Sequence, residues 1–307
     1  MSGGSTDLSF TKFLEDHDLI LMEAAVVERL RRSDEIGLHP TLVNAPLIYD
    51  PKGRSVMTKI YEEYLDIAQE AGLPMFICTP TWRADLQRVE DSQVNKLVNR
   101  HAVHFLNEIR ANRYSQAKVR IGGLIGCKND CYKPAESLKE EEAEKYHSWQ
   151  IEELVTGGVD FIIAETLPSL QESIGIAKAI SRYDIPYFIS YVIGRDGKIL
   201  DGTTLMDAFD KVDTESVRPP IGFMVNCAYP TFLQPDKQEE GVFTRLKGYL
   251  ANASSLDHCD LDGASDLMLD SVDDWSQEMT RLNQKYGIRI LGGCCGTGTD
   301  HLRRLVG

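Results

Sequence analysis

Near the C-terminal end, two adjacent cysteines stand in Ile288-Arg289-Ile290-Leu291-Gly292-Gly293-Cys294-Cys295-Gly296-Thr297-Gly298-Thr299. A short β-branched run leads into the pair, glycines flank it, and a helix start follows. Adjacent cysteines bridge each other only by distorting the peptide between them, so a structural disulfide within the pair is a poor explanation. Flanking glycines allow backbone conformations that a side chain would forbid, so both sulfurs can turn toward one point. Two converging thiolates are most of a zinc site. Such a site needs at least one more protein ligand, and a catalytic one keeps a position open for substrate.

The elements that would position these groups alternate between strand and helix. Strands are expected at Leu19–Met22, Pro74–Thr79, Val119–Ile125, Val159–Ala164, Pro186–Val192, Ile221–Val225, Leu246–Ala251 and Ile288–Leu291. Helical spacing fills Met57–Ala71, Val94–Ile109, Leu138–Val155, Leu170–Ile180, Thr204–Val212, Val272–Tyr286 and Asp300–Leu305, with weaker signals at Val26–Arg32 and between Pro230 and Arg245. Eight strand–helix units predict a parallel sheet closed into a single-domain (β/α)8 TIM barrel over residues 19–307, preceded by a flexible, polar lead-in at residues 1–18. Barrel active sites lie at the C-terminal ends of the strands. On this reading Glu23, Thr79, Glu165, Cys227, Cys294 and Cys295 all lie there, so three sulfurs can meet at the mouth.

Composition narrows the partners. The 307 residues carry a formal charge of −14, which disfavours nucleic acid and anionic membranes, since both select basic surface. No run of 18 apolar residues is present, and the N-terminus lacks a basic start and an apolar stretch, so neither a membrane span nor a signal peptide is expected. Seven cysteines fit a reducing, cytoplasmic compartment with thiols left for metal or catalysis.

The whole pattern resembles the homocysteine S-methyltransferase family of zinc-dependent barrels, from about Leu19 to Leu305. The marks that carry the resemblance are Gly292-Gly293-Cys294-Cys295-Gly296-Thr297 and Val225-Asn226-Cys227. Support comes from Gly158-Val159-Asp160-Phe161-Ile162-Ile163-Ala164-Glu165-Thr166 and Asp196-Gly197-Lys198-Ile199-Leu200-Asp201-Gly202-Thr203. The resemblance implies a zinc ion bound by Cys227, Cys294 and Cys295, with Glu165 holding the amino group of a homocysteine-like substrate. Glu23, Asn226 and Thr79 are the further substrate-facing candidates, and no side chain is assigned as acid or base. The implied reaction moves a methyl group from a sulfonium donor, S-methylmethionine or S-adenosylmethionine, to a zinc-bound thiolate, with homocysteine giving methionine. The length leaves no room for a cobalamin or folate module, nor for the C-terminal extension of the betaine-using relatives. The partners expected are therefore a small-molecule thiol and a methyl donor, with the oligomeric state open.

Three stretches depart from the family pattern. Glu23-Ala24-Ala25 replaces an Asp-Gly-Gly turn, Thr79-Pro80-Thr81-Trp82 replaces an Asn-Thr-aromatic pattern, and Gly126-Cys127-Lys128-Asn129-Asp130 lacks a Gly-Pro turn. The metal end matches and the amino-acid end departs, which keeps a second reading: a non-catalytic or divergent zinc or thiol-metabolite binder with a different acceptor. A zinc hydrolase would draw on histidines, none of which closes a strand. A vicinal-thiol redox protein would need no metal. Cys78 reads as core, Cys127 and Cys131 as incidental, and His258-Cys259 as solvated in an acidic loop. Tyr146, His147 and Trp149 read as packing, and Asn252-Ala253-Ser254 as a glycosylation tripeptide without meaning in a cytoplasmic chain.

Overall fold

Eight short parallel strands close on themselves in the order β1 to β8 in a computed structural model that describes residues 5–34, 36–257 and 269–307. They are β1 (Ile20–Met22), β2 (Met75–Cys78), β3 (Val119–Gly126), β4 (Phe161–Leu167), β5 (Tyr187–Tyr191), β6 (Gly222–Ala228), β7 (Leu246–Ala251) and β8 (Ile290–Gly293). Closure is made by β8 against β1, with Ile290 opposite Ile20 and Leu291 opposite Leu21. The fold is the expected (β/α)8 barrel, because each strand is buried on both faces and reads as a nearly continuous apolar run. The His258-Cys259 reading lies outside the described residues.

Residues i and i+2 of a strand face the same way. Ile20 and Met22, Phe76 and Cys78, Phe161 and Ile163, together with Phe188, Met224, Leu250 and Ile290, fill the barrel's interior. The outward-facing residues meet the helices α2 (Val27–Arg31), α3 (Pro51–Glu70), α4 (Leu86–Ser92), α5 (Val98–Arg113), α6 (Glu140–Gly157), α7 (Leu170–Ile180), α8 (Leu205–Glu215), α9 (Glu240–Arg245), α10 (Val272–Tyr286) and α11 (Thr299–Val306). Among the described residues, no helix is long and apolar enough to cross a membrane.

The N-terminal stretch differs from the loose lead-in expected of it. Ser5–Glu15 form the first helix, α1. Its Phe10 and Leu14 are buried and join the interior cluster, with the Phe10 ring 5.7 Å from Phe76, 5.6 Å from Phe161 and 6.1 Å from Phe188. Those partners stand at the N-terminal ends of their strands, so this helix stops the barrel at the end opposite the mouth. Arg289 secures it by donating through Nη1 to the carbonyls of Leu14 and Glu15, both at 2.9 Å, which the helix itself leaves without partners.

The longest helix also begins earlier than its spacing suggests. Asp50 caps α3, its Oδ2 accepting from Gly53 N–H at 2.6 Å, and Pro51 takes the first helical position, where its missing N–H costs nothing. Between Pro230 and Arg245, the stretch read as a weak helix is two 3₁₀ turns followed by α9.

Candidate metal and substrate site

Strand alternation carries Glu165 inward, since it follows Phe161 and Ile163 on the same face, and it carries Asn226 inward after Met224. The next residue on each strand should then face outward. It does not, because both strands break step there. Thr166 and Cys227 have φ of 60° and 54°, left-handed values uncommon for side chains of their kind, and each lies in a stretch where the strand register shifts. Such an irregularity re-aims a side chain. Here it turns Cys227 toward its neighbour Asn226 and toward the mouth.

Asn226 holds the pair of distortions in place. Its Oδ1 accepts from Thr166 N–H at 2.8 Å and from Ser190 Oγ at 2.7 Å. Its Nδ2 donates to Thr166 Oγ1 at 2.7 Å and to Cys227 Sγ at 3.4 Å. Residues held in sparsely populated backbone regions cost about 1–3 kcal/mol each and persist where their surroundings over-determine them. A buried amide with all its bonding directions used is such a surrounding.

On the other side of β7, β8 delivers Cys294 and Cys295. Gly292 is required there: a Cβ on it would stand 2.7 Å from the carbonyl oxygen of Met22 and 2.9 Å from that of Glu23. Gly296, at φ 79°, lets the chain turn away behind the pair. Cys294 N–H donates to Ala251 at 2.7 Å, and the Cys294 carbonyl accepts from Thr297 Oγ1 at 2.6 Å. Gly296 N–H donates to the Glu28 carboxylate.

The three sulfurs converge. Among the described residues, Cys227, Cys294 and Cys295 form a cluster whose Sγ atoms all lie within 4.8 Å of one another. The Sγ atoms of Cys227 and Cys294 are in bonding contact, with Cα atoms 5.4 Å apart. Burial is graded: Cys227 is buried, Cys294 half-buried and Cys295 exposed. Three sulfurs make a soft donor set that suits zinc. At a zinc–sulfur distance of about 2.3 Å, tetrahedral ligands stand ~3.8 Å apart, within the 4.8 Å span of the cluster. A disulfide between Cys227 and Cys294 would remove two of the three donors, so metal binding and oxidation of that pair exclude each other.

Two carboxylates share the mouth. Burial raises Glu165 to about 8. Burial also raises Glu23 well above the usual carboxylate range; the Cys78 N–H, donating to its Oε2 at 2.6 Å, opposes this, and Glu165 adds to it. Glu165 is thus largely proton-bearing at neutral pH until a cation arrives to favour its ionised form, and burial pushes Glu23 in the same direction.

Ala24 and Ala25 have no left-handed backbone, so the turn that replaces two glycines is made without strain. Tyr64 Oη donates to the Ala25 carbonyl at 2.7 Å, and Ala25 N–H faces Thr297 Oγ1 at 3.4 Å, tying this turn to the cysteine loop.

Thr79 and Asn226 were expected to face substrate. Both are fully buried with their polar atoms engaged. Thr79 Oγ1 accepts from Leu124 N–H at 3.0 Å and lies 2.7 Å from Thr81 Oγ1. Sequence patterns also passed over Glu172, whose buried carboxylate accepts from Lys128 N–H at 2.8 Å and Leu138 N–H at 3.2 Å and meets His147 Nε2 at 3.1 Å. It fastens the loop after β3. Nothing local marks it, because its partners lie 25 to 44 residues away.

The sequence profile of the homocysteine S-methyltransferase family matches residues 19–307. The chain belongs to that family. Membership makes it a methyltransferase, with methyl transfer to homocysteine as the family's activity. Among curated proteins it is 20% identical to the homocysteine S-methyltransferase YbgG of Bacillus subtilis, with 95% of each chain covered. It is 29% identical to betaine–homocysteine S-methyltransferase 1 of Rattus norvegicus over 54% of this chain and 44% of that protein. Among solved structures, the homocysteine methyltransferase MmuM of Escherichia coli shares the fold. Its metallated form has a TM-score of 0.74 at 17% identity, covering 96% of this chain and 98% of that one, and its oxidized form scores 0.73 at 16% identity, covering 95% and 96%.

Proposed function

We propose that this protein transfers a methyl group from a sulfonium donor, S-methylmethionine or S-adenosylmethionine, to the sulfur of homocysteine at a zinc ion held by Cys227, Cys294 and Cys295. The observation that carries this reading is the convergence of three sulfurs from the ends of β6 and β8, at the same end of the barrel as Glu165 near the end of β4. Zinc, when bound, would lower the pKa of a thiol whose free value is about 8.5, so that its proton passes to solvent at neutral pH. The protein's own groups do the rest. Cys227, the buried member, and the half-buried Cys294 would hold the ion, and the exposure of Cys295 leaves access from the mouth.

Glu165 receives the α-ammonium group of the acceptor by a charge-assisted hydrogen bond. Glu23 stands as a second acceptor for the same group. Asn226 and Thr79 shape the wall and need not touch substrate. The acceptor sulfur attacks the methyl carbon, the carbon–sulfonium bond breaks, and the donor leaves as a neutral thioether. Cation and anion are consumed together, which a site shielded from water favours. Three thiol ligands that must stay reduced suit a cytoplasmic setting.

The test is turnover. Under reducing conditions with zinc, the protein should form methionine from homocysteine and S-methylmethionine or S-adenosylmethionine, with betaine as a comparison. Glu23-Ala24-Ala25 favours a second reading, an acceptor other than homocysteine or binding without transfer. Zinc-loaded protein that forms no methionine with any of the three donors would select it.

A further inference from the structure

Asn252 follows β7, the strand that stands between the two cysteine-bearing strands and contributes no sulfur. It is 2% exposed, and its side chain spans the gap. Nδ2 donates to the carbonyl of Cys227 at 3.0 Å, and Oδ1 accepts from the N–H of Cys295 at 3.1 Å. Its own backbone is held as firmly. The Asn252 N–H donates to Ala228 at 3.1 Å, and its carbonyl accepts from Trp275 Nε1 at 3.0 Å. Ala253 N–H donates in turn to the Cys295 carbonyl at 2.9 Å.

We infer that Asn252 is a positioning residue that sets the separation of Cys227 from Cys294 and Cys295, and so the fit of the three sulfurs to a metal. The inference rests on the zinc site proposed above. A carboxamide can donate at one end and accept at the other across a fixed planar span, and that is what an N–H on one side and a carbonyl on the other demand. Aspartate keeps the acceptor and loses the donor. Leucine loses both, and glutamine is one methylene too long. Metal ligands must sit within a few tenths of an ångström of their ideal distances, and outer partners that hold them typically change metal affinity by about 10–100-fold. The same burial makes the Asn-Ala-Ser tripeptide unusable for glycosylation, since its Nδ2 is enclosed and engaged.

The test compares wild type with Asn252→Asp and Asn252→Ser, all reduced. Asp keeps the shape, and Ser leaves room for water to reach both backbone groups, so at least one variant should fold. Zinc affinity is measured by competition with a chromophoric chelator, and the ligand field by the visible spectrum of the cobalt(II)-loaded protein. The thermal midpoint of metal-free protein serves as the folding control. We expect affinity to fall about 10–100-fold, with altered cobalt bands, in variants that are folded at the assay temperature. A residue that merely fills space would lower the midpoint and leave the cobalt spectrum alone. Either folded variant with wild-type affinity and spectrum overturns the role of Asn252 while the zinc site stands. A wild type that binds neither metal overturns both.

Discussion

Replacing Glu165 by glutamine should make the metal-free protein more stable while weakening its grip on substrate. Burial raises this carboxyl from 4.5 to about 8, so the fold prefers it protonated. The folded pKa lies above the unfolded one. Its contribution is therefore present below about 4.5, declines as pH rises between about 4.5 and 8, and is lost above that. At 1.36 kcal/mol per pH unit, this amounts to ~3 kcal/mol at pH 7, and about half of that once water at the partly open mouth is allowed for. Glutamine carries no ionisable group and also removes the charge that raises Glu23. Thermal unfolding of metal-free wild type and Glu165→Gln, from pH 5 to 9, should show a falling midpoint in the wild type and a flatter profile in the variant. The variant should gain ~1–2 kcal/mol near pH 7, about 3 °C in a chain of this size. The same change removes a charge-assisted hydrogen bond to the α-ammonium group, so KM for homocysteine should rise ~10–100-fold. Coincident pH profiles would show that the carboxylate is well hydrated. An unchanged KM would show that it does not hold the ammonium group.

Asn226→Ala leaves the Thr166 N–H without a buried partner and frees both left-handed residues, so stability should fall by ~1–3 kcal/mol and zinc affinity by at least ~10-fold. Urea unfolding and chelator competition would check this, and an unchanged zinc affinity would separate Asn226 from the metal. Phe10→Ala removes the ring that plugs the closed end of the barrel and should cost ~3–5 kcal/mol in urea unfolding. Its KM for homocysteine should match wild type wherever the variant is folded, because the helix lies far from the mouth. Glu172→Ala strips the acceptor from Lys128, Leu138 and His147 and should cost ~3–5 kcal/mol, with a loss under ~1 kcal/mol showing that the loop after β3 is held by other means.

The barrel was legible because its strands are short, apolar and regularly spaced, and because glycine and cysteine at β8 leave few alternatives. Cys227, Cys294 and Cys295 could be placed at one mouth once eight strands were counted. The helix at Ser5–Glu15 carried a readable signal in Phe10, Phe13 and Leu14, spaced for one helical face, but polar neighbours masked it. Asp50-Pro51 was likewise an overlooked helix start. Other features were beyond local pattern. The breaks in alternation at Thr166 and Cys227 depend on Asn226, and Asn226 acts on a residue 60 positions away. Asn252 looked like a modification tripeptide because its partners, Cys227 and Cys295, lie 25 and 43 residues distant. Glu23-Ala24-Ala25 looked like a conformational conflict, yet the turn needs no left-handed residue, so alanine is tolerated there.

Metal content tests the central claim most directly. Protein purified under reducing conditions should carry about one zinc per chain, as expected for three sulfur ligands, and a folded Cys295→Ala variant should lose most of it. Wild type that is folded, reduced and metal-free after incubation with zinc would contradict the account, and so would a Cys295→Ala variant that keeps its zinc.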